Sequence, residues 1–265
     1  MIESILRVEQ LSSGYEKQTV FTNLNTSIQK GKITTIIGPN GCGKSTLLKT
    51  IGRILHQKSG RVYLQELDMK SLSTKDIAKR LALLSQSPVA PAQLKVEELI
   101  SYGRFPHRKN IGTLSKKDIE IIEWAMKVTK TIEFRSREID QLSGGQRQKV
   151  WLAMALAQDT EILLLDEPTT YLDMAHQLEM LKIVEELNKK HQCTIVMVLH
   201  DINHAARFSH ELIAMRNGEI IETGTPKEII TKEVMKKVFQ IDAKIMFDED
   251  TASPVCYGYE TLEEV

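Results

Sequence analysis

Three observations predict an α/β fold with a mostly parallel sheet and flanking helices. The first is a strand, a glycine-rich turn and a helix around Gly38-Pro39-Asn40-Gly41-Cys42-Gly43-Lys44-Ser45-Thr46. The second is a pair of short, wholly apolar runs, Ile162-Leu163-Leu164-Leu165 and Ile195-Val196-Met197-Val198-Leu199, of the kind buried on both faces of a parallel sheet. The third is a long amphipathic helix, Met174–His191, with Leu178, Leu181, Val184 and Leu187 on its inward face and basic residues in its last turn.

Composition narrows the function. The chain has 265 residues, 42% hydrophobic and 26% charged, which suits one large or two small globular domains. Lys+Arg and Asp+Glu both number 35, so no global attraction to nucleic acid or to an anionic membrane surface is expected. Cys42, Cys193 and Cys256 lie far apart, with Cys193 assigned to a core strand; this is no disulfide framework and suits a reducing cytosol. No apolar run approaches the roughly 18 residues of a membrane span, and residues 1–7 lack the basic-then-apolar pattern of a signal peptide. A role at a membrane would therefore need another chain as anchor.

From the N-terminus, residues 5–10 read as a strand and Ser12-Ser13-Gly14 as a turn before Tyr15. Tyr15 could stack on a nucleotide base or be a half-buried core tyrosine. Residues 21–28 and 60–64 read as further strands, too closely spaced for crossover helices, so the N-terminal sheet is expected to be antiparallel. Residues 32–37 form the strand entering the glycine-rich turn, which fits G-x-x-x-x-G-K-[ST]. Gly41 and Gly43 let backbone N–H groups turn onto one anion, Lys44 reaches β- and γ-phosphates, and the Ser45 hydroxyl suits Mg²⁺. The helix opening at Lys44 adds the positive end of its dipole.

Ser73-Thr74-Lys75-Asp76 resembles a capping box opening a helix to about Arg80. Residues 81–85 read as a buried strand ending at Gln86, whose amide oxygen could meet Mg²⁺ or position a water, or could simply face solvent. Residues 88–140 carry Pro88, Pro91 and Pro106 and polar helices over 96–102 and 115–130. They read as a helical insert, extending to about 160, with a loop at Gly103-Arg104-Phe105-Pro106-His107 suited to protein contact. Ser143 is an N-cap for a helix over 146–157, and Gly144-Gly145 leave N–H groups exposed at its start.

The run ending in Leu165 continues to Asp166-Glu167. Two acids at the end of a buried strand are costly unless they face a cation or a reacting group. Asp166 suits a Mg²⁺ shell and Glu167 a general base for water. His176 and His191 read as surface residues of their helix, and His200, after a core strand, as a nucleotide contact. A helix over 203–209, a hairpin turning at Asn217-Gly218, and one amphipathic helix over 226–239 follow. The last 25 residues or so read as mixed and acid-rich, without a motif.

In this order the motifs resemble the ATP-binding subunits of ABC transporters over roughly residues 4–240, with Leu142-Ser143-Gly144-Gly145-Gln146 matching the family's signature. The resemblance implies a P-loop NTPase core with an N-terminal antiparallel β-subdomain and a helical subdomain of about 88–160, in a single cassette spanning 1–265. It implies ATP and Mg²⁺ as ligands. Tyr15 would stack on adenine, and residues 38–46 would be the Walker A loop. Gln86 would link Mg²⁺ and the attacking water to the helical subdomain. Asp166 would close Walker B, Glu167 would be the catalytic base, Leu172-Asp173 the D-loop, and His200 the residue holding the γ-phosphate. Two copies would pair head to tail, each ATP lying between residues 38–46 of one and Ser143, Gly144, Gly145 and Gln146 of the other. Hydrolysis would then become a domain motion.

Thr170-Tyr171-Leu172-Asp173-Met174-Ala175-His176-Gln177, residues 103–107 and His200-Asp201-Ile202-Asn203-His204 resemble the iron–siderophore and cobalamin import branch. That branch implies a cytoplasmic-face ATPase serving a membrane permease and, indirectly, a substrate-binding protein, with ferric siderophore as cargo. The permease would insert a short helix near 86–91 and 103–107. Cobalamin or haem import and an exporter subunit are the alternatives; a soluble ABC protein of translation or DNA repair would carry a second cassette or a long coiled coil. A purely binding module would leave Lys44 and Asp166-Glu167 without a role.

Overall fold

β1 (Ser4–Tyr15) and β2 (Gln18–Gln29) pair antiparallel, and β1 also pairs antiparallel with β4 (Gln57–Leu64), which carries the two-residue β5 (Leu67–Asp68). The structure, a computed structural model, describes residues 3–91, 93–108 and 113–262. The readings at residues 1–2, at 92 and 109–112 within the helical insert, and at 263–265 of the tail lie outside them. The expected turn at Ser12-Ser13-Gly14 is not there: β1 continues through it with register shifts, and the chain reverses at Glu16-Lys17, where Glu16 takes φ 44°. Between β2 and β4 come β3 (Ile33–Ile37), buried at every position, and helix α1 (Lys44–Ile51).

The chain divides into two compact units, one from its two ends up to Ser71 and from Thr194, the other Leu72–Cys193. The second unit opens with α2 (Thr74–Ala78), capped by the Ser73 hydroxyl on the Asp76 N–H, and β6 (Leu81–Leu84). Its helices α3 (Val96–Ser101), α4 (Lys116–Val128) and α5 (Gly144–Ala157) precede β7 (Ile162–Asp166) and α6 (Met174–His191). β6 and β7 are parallel, Leu81 beside Ile162 through Leu84 beside Leu165. Helix α6 buries Met180, Leu181, Ile183, Val184 and Leu187; each aliphatic side chain of this kind contributes about 1.5–3 kcal/mol by leaving water.

Residues 103–107 are not a loop. They form a 3₁₀ segment, Tyr102–His107, whose Arg104 is buried. Arg104 Nε donates to Asp118 Oδ1 at 2.7 Å, its Nη1 donates to the Ala157 carbonyl at 2.8 Å, and His107 Nε2 lies 2.8 Å from the Gln158 carbonyl. The segment thus fastens the end of α5 to the start of α4. Burial pushes the Asp118 carboxyl up, but hydrogen bonds from the Ser115 hydroxyl, Arg104 and the Ser115 N–H outweigh it, bringing the pKa down to about 2.

Back in the first unit, β8 (Thr194–Val198) and β9 (Glu211–Arg216) both run parallel to β3, separated by α7 (Ile202–Phe208). β10 (Glu219–Gly224) returns antiparallel through Asn217-Gly218, both at positive φ as a two-residue hairpin turn requires. Cys193 precedes β8 rather than lying in it. The single helix expected over 226–239 is two, α8 (Pro226–Ile229) and α9 (Lys232–Phe239). Ile230 takes ψ 73°, which ends the first, and Thr231 starts the second by accepting from the Val234 N–H. The acid-rich tail also departs from expectation: β11 (Ile241–Asp248) and β12 (Ser253–Thr261) form an antiparallel ribbon with Cys256 buried.

Candidate functional site

The phosphate loop joins β3 to α1 within the first unit. Gly38 has φ 151° and Gly43 φ 106°, and a Cβ on Gly38 would sit 2.1 Å from the Met215 carbonyl oxygen, so glycine is required there. Gly43 is the N-cap of α1 and has no side chain to satisfy the first-turn N–H groups, which leaves that helix start to an anion. Asn40 and Gly41 are exposed at the tip. Lys44 is buried; its Nζ donates to the Gly38 carbonyl at 2.8 Å and the Pro39 carbonyl at 2.9 Å, so the ammonium is folded over the loop that bears it. Ser45 is half-buried and Thr46 buried in the first turn of α1. Burial pushes the Cys42 thiol up, against Lys44 beside it, so the cysteine of the loop is a neutral packing residue. Tyr15, at the end of β1, is 48% exposed, which leaves its ring available for stacking. His200 is exposed just after β8, and Asp201 next to it caps α7 by accepting from the His204 N–H at 2.7 Å.

The second unit assembles its acids differently. Asp166 ends β7 fully buried and Glu167 follows at 8% exposure. Glu167 takes φ 53° and Tyr171 φ 64°, left-handed conformations that cost side-chain-bearing residues of order 1–3 kcal/mol each and cluster at functional loops. The Gln86 amide nitrogen donates to Glu167 Oε2, and the Thr170 hydroxyl donates to the same oxygen at 3.1 Å. Gln86 and Glu167, each singled out separately in the sequence, therefore meet, 81 residues apart. Thr170 was not anticipated; its only sequence signal is a hydroxyl three residues after the acid. Gln86, Ser87 and Pro88 share a cleft of about 250 Å³ with Gly144, Arg147, Gln148 and Trp151 of α5 and Thr170, Tyr171 and Leu172; residues 103–107 are not in its lining.

Ser143 and Gln146 face each other across a complete capping box: the Ser143 hydroxyl accepts from the Gln146 N–H at 3.3 Å, and Gln146 Oε1 accepts from the Ser143 N–H at 3.0 Å. Helix α5 begins at Gly144, earlier than expected, so both glycines belong to its first turn. Asp173 is likewise the N-cap of α6 and accepts from His176. His191 is exposed, with its ring edge-on to Trp124. Among the described residues there is no cluster of three or more His, Cys, Asp or Glu that could hold a metal ion. The oxygen donors Ser45, Gln86 and Asp166 are the hard type that Mg²⁺ takes together with phosphate and water. Among the described residues no helix is long and apolar enough to cross a membrane.

The profile of the ABC transporter family matches residues 21–170. The chain is 55% identical to the iron(3+)-hydroxamate import ATP-binding protein FhuC of Bacillus subtilis (strain 168), covering 97% of this chain and 96% of the relative. It is 43% identical to the ferric enterobactin transport ATP-binding protein FepC of Escherichia coli (strain K12), covering 96% and 95%. Among solved structures, a metal-chelate type ABC transporter in an inward-facing conformation superposes with a TM-score of 0.82 at 25% identity, covering 99% of each chain. The identity over nearly the whole chain, together with the phosphate loop and the Gln86–Glu167 arrangement, places the protein: it belongs to the ABC transporter family, as one of its ATP-hydrolysing subunits.

Proposed function

We propose that the chain hydrolyses ATP to drive import of a ferric siderophore through a separate membrane permease, working from the cytoplasmic face and fed by a substrate-binding protein. The observation that carries this reading is the 55% identity, over 97% of the chain, to a relative named for iron(3+)-hydroxamate import. Similarity to a relative named for ferric enterobactin transport supports ferric siderophores as the cargo class.

In this reading residues 38–46 cradle the phosphates, with Lys44 moving from the Gly38 and Pro39 carbonyls to the β- and γ-phosphates. Tyr15 stacks on adenine. Ser45, Gln86 and Asp166 would hold Mg²⁺, which would supply positive charge against the phosphates. Glu167, steadied by Gln86 and Thr170, accepts the proton of the attacking water. His200 contacts the γ-phosphate. Two copies close head to tail on ATP, with residues 143–146 of each serving the nucleotide of the other and Asp173 also contacting nucleotide, and the segment 88–160 is the helical subdomain of the cassette. Because the side chains of Ser143 and Gln146 cap each other's N–H groups, the N–H of the exposed Gly144 is the donor an incoming phosphate would meet first.

The test is uptake of radiolabelled iron, supplied as several siderophore complexes with hydroxamates first, in a strain lacking the gene and complemented with wild type or Glu167→Gln. Loss of uptake for one siderophore class, rescued by wild type alone, is the expected result. Undiminished uptake of every siderophore in a strain without a redundant ATPase would contradict the cargo assignment and turn attention to cobalamin, haem and export.

A further inference from the structure

Helix α6 carries a histidine whose two sides are both engaged. Gly145, the second residue of α5, is buried, and a Cβ on it would stand 2.7 Å from His176 Cδ2 and 3.1 Å from Cγ. The imidazole lies against a glycine that has no room for a methyl group. On its other side, Nδ1 is 2.8 Å from Asp173 Oδ1, and the His176 backbone N–H donates to the same oxygen at 2.9 Å. A carboxylate can only accept, so Nδ1 carries the proton. One turn further along both helices, Lys149 of α5 donates to Glu179 of α6 at 2.5 Å, and Lys130 reaches that glutamate at 3.2 Å.

The seam joins two segments to which the proposed function gives work. One is the first turn of α5, where Ser143 and Gln146 cap each other around Gly144 and Gly145. The other is the loop from Glu167 to Asp173, which has left-handed residues at Glu167 and Tyr171 and the Glu167–Thr170 hydrogen bond. Lys149–Glu179 would hold the helices together without His176. What His176 adds is a contact at their N-terminal ends, between a signature glycine and the aspartate that caps α6.

We propose that His176 is a positioning residue: it sets how the first turn of α5 is presented to the nucleotide of the partner copy and keeps that turn in step with the Glu167 loop. This rests on the reading in which ATP closes two copies. The geometry separates two parts of the role. The ring supports Gly145, and the Nδ1–H group holds Asp173.

The experiment uses the purified full chain in a Glu167→Gln background, which preserves bound ATP. Dimer formation is followed by size-exclusion chromatography with light scattering as ATP is titrated. ATP binding to the monomer and the nucleotide-free Tm are measured alongside. His176→Ala is expected to raise the ATP concentration for half-dimerisation by about tenfold, with monomer binding unchanged and Tm lowered only by the few degrees that one half-exposed intramolecular hydrogen bond supports. His176→Asn, which keeps an N–H donor near the δ position, and His176→Phe, which keeps a ring over Gly145, are each expected to recover part of the loss. An unchanged midpoint in His176→Ala overturns the assignment. So does a loss matched by falls in Tm and monomer ATP binding, the signature of a merely structural residue. If Glu167→Gln with His176 intact fails to dimerise on ATP, the function proposed above falls and takes this assignment with it; dimerisation that survives His176→Ala overturns the assignment alone.

Discussion

The phosphate loop and the Glu167 region are built on opposite principles. The loop is one contiguous stretch, made by backbone: glycines at positive φ, a carbonyl of Met215 pressed on Gly38, and a lysine turned back on two carbonyls of its own loop. The Glu167 region is made by side chains brought from positions 86, 167 and 170, with a capped helix start and a seam to α6 nearby. A backbone-made site cannot accept an added Cβ, whereas a side-chain-made site is sensitive to lost functional groups. The two regions should therefore fail in different ways.

The sharpest contrast is expected at Glu167. Glu167→Gln keeps the shape and the Gln86 and Thr170 neighbours but removes the proposed base, so phosphate release should fall by about 10²–10⁴-fold. ATP affinity, read by a fluorescent nucleotide, should stay close to wild type. Hydrolysis at a wild-type rate would break the comparison.

Next in size is Asp118→Asn in the second unit. Removing one partner of a buried ion pair costs about 3 kcal/mol or more, and denaturant unfolding should show it without a change in nucleotide affinity. The pair also has a pH signature. The Asp118 pKa lies at about 2 in the fold against its ordinary 3.8, so its stabilisation is present above pH 3.8 and is lost as pH falls through 2. Asp118→Asn should lack that part of the acid sensitivity in a pH series of melting curves.

Lys44→Ala comes third, with ATP binding weakened by about 10- to 100-fold as charge-assisted bonds to phosphate are lost. Its phenotype should be a binding defect, the mirror of Glu167→Gln. The smallest effect is expected from Thr170→Val, which keeps the volume and removes the second donor to Glu167; turnover should drop several-fold with binding unchanged, since one hydrogen bond contributes about 1 kcal/mol. A binding defect in Thr170→Val would blur the division between the two regions.

The same contrast decides what could be read from the chain beforehand. The loop was legible because its chemistry is local: spacing alone fixes Gly38, Gly43 and Lys44. The placement of Asp166-Glu167 at the end of a buried strand could be read because an apolar run of four residues stops there, and the 217–218 hairpin because Asn-Gly names its turn. Arg104 was not legible as a buried residue, because its partner Asp118 lies 14 residues away across a segment without periodicity. The tail hairpin escaped because its turn has no Asn-Gly, only Ala252 at φ 52°, and because β12 carries Pro254 and Gly258, which weaken a strand pattern. Helix 226–239 read as one because its apolar face continues across Ile229-Ile230, while the break depends on Thr231 beginning a new cap. His176 has no local signal at all; its contact with Gly145 exists only when α5 and α6 pack.

The central claim is that residues 38–46 of one copy and 143–146 of another complete one hydrolytic site. Mixing Lys44→Ala and Ser143→Arg, at an ATP concentration too low for Lys44→Ala to bind, tests it most directly. In a head-to-tail pair of one of each, both lesions fall in one site and the other site is wild type throughout, so the mixture should release phosphate although neither variant does alone. A mixture as inactive as its components, with the mixed dimers shown to form, would contradict the account and return both segments to a single chain.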